Sequence, residues 1–536
     1  MNCPMGNAPF RAHPCRMADI VLINPRFEVS YWGLEHAMPY LGKRAVFPVA
    51  ALSLLAALTP SPHTVTLIDE NVEPIDFDRC ARADIVGLTG MSVQRFRMRE
   101  ILGELKRRRR FTIVGGPWVT LQEDYFDGLA DAIFVGEAED TWPLFLAEWG
   151  ESRHGRRYEQ ALRTDMSRVP VPRFDLLPMR HYAFGSVQFS RGCPFTCEFC
   201  DIIVTFGRRP RLKTGGQVLA EIEALHAEGA EFVFIVDDNL IGNKAAIKPL
   251  LREVAAWQEA RGYPLTFFTE ASLDLADDPD LLALMAAVNI VTVFVGIESP
   301  NDAALIEAKK QQNLRGERTL VEKVHAIQDA GLEVWCGMIL GFDDDDSTIF
   351  EAHRRFIAEA RIIHSMTGML TALPKTPLHK RLALEGRLDP ADQSPFGTNV
   401  IPLRLGRDEL HSGYIALMRE LYAPGAYFDR FEALFVAGGL RFNQTRRRYW
   451  SAHPWPGALA GVRALAQAAA ILARLQWHVE EATLRREYRR RLVSLLRVRR
   501  EPEVLLVYAL KCAIHAHVYE LTRAMARGEP RFGNTF

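Results

Sequence analysis

The chain has 536 residues, 48% hydrophobic and 24% charged, with a formal charge of −1. That length exceeds one hydrophobic core and predicts three or four domains at ~100–200 residues each. The balanced charge argues against a nucleic-acid partner, and eight cysteines, only three of them clustered, suit a reducing, cytoplasmic compartment with one metal site rather than a secreted disulfide framework.

The first residues carry no apolar core of signal-peptide length, and no run reaches ~18 uninterrupted apolar residues. Residues 18–150 alternate strand and helix patterns. Asp19–Asn24, Thr64–Ile68, Ile85–Thr89, Thr112–Val114 and Ala132–Val135 read as buried strands, with helices over Pro48–Leu58 and up to Arg107. Short apolar runs separated by helix-length segments predict a parallel, doubly wound α/β sheet with helices on both faces. Such sheets bind ligands beyond the carboxyl ends of their strands, where Gly115-Gly116 and Gly136-Glu137 fall. Residues 151–185 are polar and proline-punctuated and read as a linker.

The alternation restarts at Ser186 and runs to about 390. Expected strands are Val187–Ser190, Phe232–Val236, Thr266–Thr269, Val291–Val295, Glu333–Leu340 and Gly368–Leu373. Six strand–helix units predict a partial (β/α)6 barrel with its chemistry at the C-terminal strand ends. Residues 391–536 read as mainly helical and basic. The stretch Leu484–Arg500 holds eight arginines and one acid. Two readings stand for the arginines beyond 440, which include Arg446-Arg447-Arg448: a solvated helix face that also covers the barrel mouth, or a surface for anionic membrane or substrate. The nearest approach to a spanning segment, Ala458 to Trp477, is interrupted by Arg463, Gln467 and Arg474 and reads as a packed amphipathic helix.

Between the first barrel strand and its helix lies Arg191-Gly192-Cys193-Pro194-Phe195-Thr196-Cys197-Glu198-Phe199-Cys200. Three thiolates at spacings of four and three can wrap one [4Fe–4S] cluster from a single loop and leave the fourth iron open. The open iron can chelate the amino and carboxylate groups of S-adenosylmethionine (SAM). One electron passed to the sulfonium then releases a 5′-deoxyadenosyl radical, chemistry that side chains cannot supply. A structural zinc site would want a fourth protein ligand, and no cysteine or histidine lies within twenty residues after Cys200.

With an aromatic residue, Phe199, before its last cysteine, the motif resembles that of the radical SAM superfamily. Further matches follow at successive strand ends: Asp237-Asp238-Asn239, Thr269-Glu270-Ala271-Ser272, Gly296-Ile297-Glu298-Ser299, Gly337 to Phe342, and Leu373-Pro374-Lys375-Thr376-Pro377-Leu378, where Lys375 replaces the usual glycine. The resemblance implies SAM contacts at Phe199, Asp238, Asn239, Glu270, Glu298, Ser299, Gly341 and Leu373. A doubly wound domain upstream resembles the cobalamin-binding subclass. The carried-over positions are Thr89, Ser92, Gly115, Gly116, Pro117, Gly136 and Glu137, around the nucleotide tail and lower corrin face. The sequence lacks the DxHxxG motif that gives cobalt a histidine elsewhere; Asp69-Glu70-Asn71-Val72-Glu73 follows the second strand and Trp118 follows Gly-Gly-Pro.

Asn399 to Pro402 and Leu421 to Arg430 resemble the helical extension of a branch that includes the hopanoid C-2 methylase. The resemblance implies methylation of an sp³ carbon in a small-molecule, lipid or secondary-metabolite substrate, with an electron donor such as flavodoxin or ferredoxin. A radical cyclisation, ring contraction or rearrangement, or a non-catalytic cobalamin or iron–sulfur sensor, are the alternatives. Oligomeric state is not legible.

Overall fold

The structure, a computed structural model, describes residues 17–389 and 397–528. Cys3, Cys15 and the boundary expected at 390–391 lie outside the described residues.

Six parallel strands form the first sheet: β1 (Asp19–Asn24), β2 (Thr64–Asp69), β3 (Ile85–Thr89), β4 (Thr112–Gly115), β5 (Ala132–Val135) and β6 (Arg157–Glu159), in the order β2-β1-β3-β4-β5-β6. Successive side chains of a strand point to opposite faces. Val21, Ile23, Val86 and Leu88 therefore pack against Met98, Ile101 and Leu105 of one helix. Ile20, Leu22 and Ile85 pack against Leu52, Trp142 and Phe145 on the other side. Residues 151–185 are not a bare linker. They supply β6, whose Ile133↔Arg157 register extends the sheet, and they bury Met166 and Val169 beneath Leu54. With one apolar residue in Arg157-Tyr158-Glu159, β6 offers no strand-like pattern; the neighbouring strand recruits it.

The second sheet comprises β7 (Gly185–Val187), then, past a short antiparallel ribbon of β8 (Ser190–Arg191) and β9 (Arg211–Leu212), the strands β10 (Phe232–Ile235), β11 (Thr266–Ala271), β12 (Ile290–Glu298), β13 (Glu333–Leu340) and β14 (Ser365–Met369). Its order, β14-β13-β12-β11-β10-β7, is that of an open, all-parallel partial barrel. Several strand boundaries move, two of them with consequences for the site. The first barrel strand ends at Val187, because Ser190 and Arg191 leave the sheet to pair with Leu212 and Arg211. The last begins at Ser365, so Thr371 to Thr376 form a mouth loop rather than strand.

The amino ends of the barrel strands are closed by chain from both other regions. The Tyr31 and Tyr422 hydroxyls are hydrogen-bonded to each other (3.0 Å), and Tyr422 also sits on the backbone of Ser365 at the start of β14. Trp32 packs 5.0 Å from the ring of Phe294. His517, on the final helix Pro502–Ala526, donates through Nε2 to the Ser30 carbonyl and accepts at Nδ1 from the His36 N–H. Lys511 pairs with Glu333, the first residue of β13, at 2.6 Å. The C-terminal helices thus sit at the base of the barrel, and the arginine-rich helix Ala482–Val498 packs there through Tyr488 onto His515 and Tyr508. It does not cover the mouth.

The helix expected from Ala458 to Trp477 runs over Pro454–His478. It is packed on one stripe only: Ala464, Ala468, Ile471 and Leu475 are buried, while Trp455, Leu459, Val462, Leu465 and Trp477 are exposed. This helix and Pro502–Ala526 are both long and apolar enough to cross a membrane, but the second is mostly buried within the protein.

Candidate functional site

The cysteine loop begins where β7 ends. Gly192 adopts φ +97°, and a Cβ there would stand 2.9 Å from the Gly207 carbonyl and 3.0 Å from that of Arg209. Only glycine lets the loop fold back this tightly. Two carboxylates just beyond β10 pin it. Asp237 accepts from the N–H groups of Phe189 (2.7 Å) and Ser190 (2.8 Å), and Asp238 accepts from the Gly192 N–H at 2.7 Å. Burial raises both carboxyls, to about 7 and about 6 respectively.

Cys193, Cys197, Phe199, Cys200, Asp238, Asn239, Glu270, Glu298 and Leu373 line one cavity of about 370 Å³ at the carboxyl ends of the barrel strands. Its remaining wall is largely apolar, with Phe294, Ile339, Met369 and Leu370. Asn239 bridges to Ser272 (3.1 Å) and points its amide toward Cys193 Sγ at 3.9 Å. Glu270 is half-buried and pushed up to about 8, first by desolvation and then by Asp238 and Asp237. Glu298, at φ +72°, pairs with Lys310 at 2.7 Å.

Two residues of this wall are absent from the strand-end pattern. Lys310 is held cationic by Glu298 and the nearby thiols in spite of its burial, and its Nζ lies 5.9 Å from the Phe199 ring centroid. Gln312 donates to Cys197 Sγ at 3.5 Å. Both follow the helix Asp302–Glu307; the exposed-looking sequence Lys309-Lys310-Gln311-Gln312 gives no signal. Ser299 and Gly341 are not on the cavity. Ser299 is buried and accepts from the Asn301 N–H. Gly341 donates to Asp345 and abuts Leu410. Their spacing is right, but local turns direct them elsewhere.

Burial raises the Cys193 thiol and lifts Cys200 well above its ordinary value, so metal binding here must release protons. Among the described residues no three His, Cys, Asp or Glu side chains converge on a single ion. Three thiols spread around one cavity, approached by amide donors and one cation, suit a multi-iron cluster, whose irons each take one thiolate. Within the cysteine loop, Glu198 accepts from Arg381 (3.1 Å), which also binds Glu307 and Asp343, tying the loop to the helix Pro377–Leu384.

A second cavity, about 360 Å³, opens at the carboxyl ends of the first sheet and is lined by Thr89, Gly115, Gly116, Pro117, Gly136 and Glu137. Gly116 adopts φ +98°, and a Cβ there would strike Thr89 Oγ1 at 2.4 Å. Ser186 Oγ and Thr205 Oγ1, both on this cavity, are buried without a hydrogen-bond partner among the described residues. A smooth apolar cradle with unsatisfied hydroxyls suits a large ligand with polar edges, as cobalamin is. Ser92 lies off the cavity, in a turn whose carbonyl accepts from Arg95. Glu137 is engaged by Arg191 and Arg211, each at 2.9 Å.

The two cavities are neighbours. Asp201 and Ile202 line the first, Thr205 and Phe206 the second. Arg191, immediately before the cysteine loop, crosses to Glu137 (2.9 Å) and Glu139 (2.6 Å) beyond β5. Lys375, at φ +67°, reaches from the mouth loop to the Thr120 carbonyl (2.6 Å) and Glu123 (2.9 Å), and Glu123 also holds Arg157 of β6.

Family models match in three blocks: the B12 binding domain over 43–146, the Radical SAM superfamily over 187–356, and the domain of unknown function DUF4070 over 376–530. An uncharacterized methyltransferase of Synechocystis is 39% identical over 78% of this chain and 79% of its own length. The hopanoid C-2 methylase of Rhodopseudomonas palustris is 35% identical over 77% of this chain and 78% of its own. Among solved structures, the radical S-adenosylmethionine methyltransferase TsrM from Kitasatospora setae, with cobalamin and [4Fe-4S] cluster bound, superposes with a TM-score of 0.58 at 18% identity, covering 72% of this chain and 82% of that one. The cobalamin-dependent S-adenosylmethionine radical enzyme OxsB superposes with a TM-score of 0.60 at 13% identity, covering 96% and 80%. At such identities these two structures speak for the fold.

Proposed function

The chain belongs to the cobalamin-dependent radical SAM methyltransferase family, and from that premise we propose that it methylates an unactivated sp³ carbon of a lipid or other apolar metabolite in the cytoplasm. The observation that carries this reading is the adjacency of the two cavities, which draw their linings from the same short segment, residues 201–206, and are joined by Arg191 to Glu137 and Glu139. When bound, the cluster supplies the electron that splits SAM, and cobalamin supplies the methyl group.

The chain's own residues bind, orient and exclude. Cys193, Cys197 and Cys200 hold the cluster, and Gln312 and Lys310 offer donors and positive charge to its sulfur-rich wall. Asn239, Glu270 and the Glu298–Lys310 pair present polar groups for SAM, while Phe199 and Leu373 flank it with apolar surface. Thr89, the Gly115-Gly116-Pro117 turn and Gly136 cradle cobalamin. Phe294, Ile339, Met369 and Leu370 make the wall of the cysteine-lined cavity apolar, which excludes water from a radical and favours an apolar substrate. No side chain is required to act as a general base for hydrogen abstraction. An electron donor such as flavodoxin or ferredoxin completes the scheme.

The test is anaerobic turnover with a hopanoid or related polycyclic lipid. The expected products are a substrate heavier by one methyl, 5′-deoxyadenosine and S-adenosylhomocysteine. Formation of 5′-deoxyadenosine with no S-adenosylhomocysteine would refute methylation and point to cyclisation or rearrangement. Cys197→Ala should end SAM cleavage; turnover surviving in that variant would sink the enzyme reading.

A further inference from the structure

The helix Pro454–His478 is held to the protein along one stripe, Ala464, Ala468, Ile471 and Leu475, which faces the final helix. The opposite stripe has the same periodicity: Trp455, Leu459, Val462, Ala466, Ala473 and Trp477 recur at intervals of three, four or seven, the spacing of a single helix face. A solvated face would carry charge there. Instead Trp455 is 85% exposed, Leu459 53%, Val462 62% and Trp477 83%. The two tryptophans end a stripe about 33 Å long at 1.5 Å per residue.

The charge of this helix and of the chain on either side of it is predominantly positive. The helix itself contains Arg463 and Arg474 and no acid. From Arg446 to Arg500 the chain holds thirteen arginines against three glutamates. Arg463, Arg486, Arg489 and Arg497 are exposed. Tryptophan, leucine and valine outward, with arginine beside them and no carboxylate on the helix, is the composition of a helix lying in the headgroup layer of an anionic bilayer. A self-associating face would gain nothing from the arginine excess, which repels its own copy.

We propose that the outward face of Pro454–His478 docks the enzyme on an anionic lipid surface, lying along the membrane rather than crossing it because its other face is committed to the protein core. The proposal stands on this face alone. It can fail while the methylation reading holds, and the converse is equally true, because vesicle binding is read without substrate or turnover.

The experiment is sedimentation of the full-length protein with large vesicles of phosphatidylcholine alone or with about 30% phosphatidylglycerol, at about 0.15 M and about 0.5 M salt. Binding should be at least about ten-fold tighter on the anionic vesicles and should weaken at the higher salt. Leu459→Glu with Val462→Glu should lower it to the level seen on neutral vesicles, with SAM cleavage unchanged as proof of folding. Arg463→Glu should lower it by a smaller factor. Equal binding of the parent and the double variant would overturn the assignment. So would a dimer in light scattering that the double variant dissociates, because the face would then belong to a second copy of the chain.

Discussion

Replacing Arg191 by Met tests whether the junction between the two cavities is held by one buried cation. The guanidinium contacts Glu137 at 2.9 Å, Glu139 at 2.6 Å and Gln188 at 2.8 Å. Its side chain is 10% exposed, and those of Glu137 and Glu139 are 2% and 10% exposed, so solvent screens little. Removing one partner of a buried pair costs about 3–5 kcal/mol. Some compensation survives: Glu137 keeps Arg211 at 2.9 Å and the Thr164 N–H at 3.1 Å, and Glu139 keeps the Thr164 hydroxyl at 3.0 Å. The expected loss is therefore at the lower end, about 3 kcal/mol, measured at pH 7 by urea unfolding of the cofactor-free protein followed by tryptophan fluorescence. Burial alone would raise the Glu139 carboxyl, but Arg191 outweighs burial and leaves it below its ordinary value. A carboxyl depressed in the folded state adds stability above its unfolded pKa and loses it as pH falls through the folded one. The cost of Arg191→Met should accordingly be full at neutral pH and shrink in acid as Glu139 takes a proton. Adding Glu139→Gln to the variant should recover at least about 1 kcal/mol. A loss below about 0.5 kcal/mol, or one independent of pH, would refute the reasoning.

Lys310→Met leaves Glu298 buried without its cation, so 5′-deoxyadenosine formation should fall at least about ten-fold with iron content retained; an unchanged rate would remove Lys310 from the site. Lys375→Gly relieves a positive φ, worth of order 1 kcal/mol, and loses a half-exposed pair worth about 0.2–1 kcal/mol. Its midpoint of unfolding should hardly move, while bound cobalamin should be lost faster on gel filtration because Thr120 borders that cavity. Glu270 sits at about 8 in the fold against an ordinary 4.5. The folded state then holds the extra proton between those values, so the melting temperature of the cofactor-free protein should fall as pH rises across that window; Glu270→Gln should flatten this slope, and an equal slope in both proteins would contradict the assignment.

The strands were legible because buried parallel strands are apolar runs with little else to resemble. Glu333–Leu340 is predicted and observed over the same residues. The cysteines were legible because one loop carries all three. Lys310, Gln312 and the Arg191 pairing were not, because no local pattern marks contacts that span 115 residues between Gln312 and Cys197, or 54 between Arg191 and Glu137. Ser92, Ser299 and Gly341 show the converse: none of them lines the cavity beside which its motif falls. Whether a residue borders a cavity depends on turn geometry that spacing does not encode. The outward stripe of Pro454–His478 was visible as composition, yet which face would be buried depended on the final helix, 48 residues on (502 − 454).

The segment around Tyr31 to Met38 belongs by connectivity to the first sheet, between β1 and β2, but it spends its side chains on the barrel base and the final helix, through Tyr422, Phe294 and His517. The three regions therefore cannot be exchanged as cassettes. A chimera that imported the cobalamin-binding region of a relative would import a foreign stopper for its own barrel, and a protein cut between β6 and β7 would leave that barrel open to water at the end farthest from the cysteines. Recombination within this family should preserve the pairing of the Tyr31–Met38 segment with the final helix Pro502–Ala526 more strictly than any boundary between them.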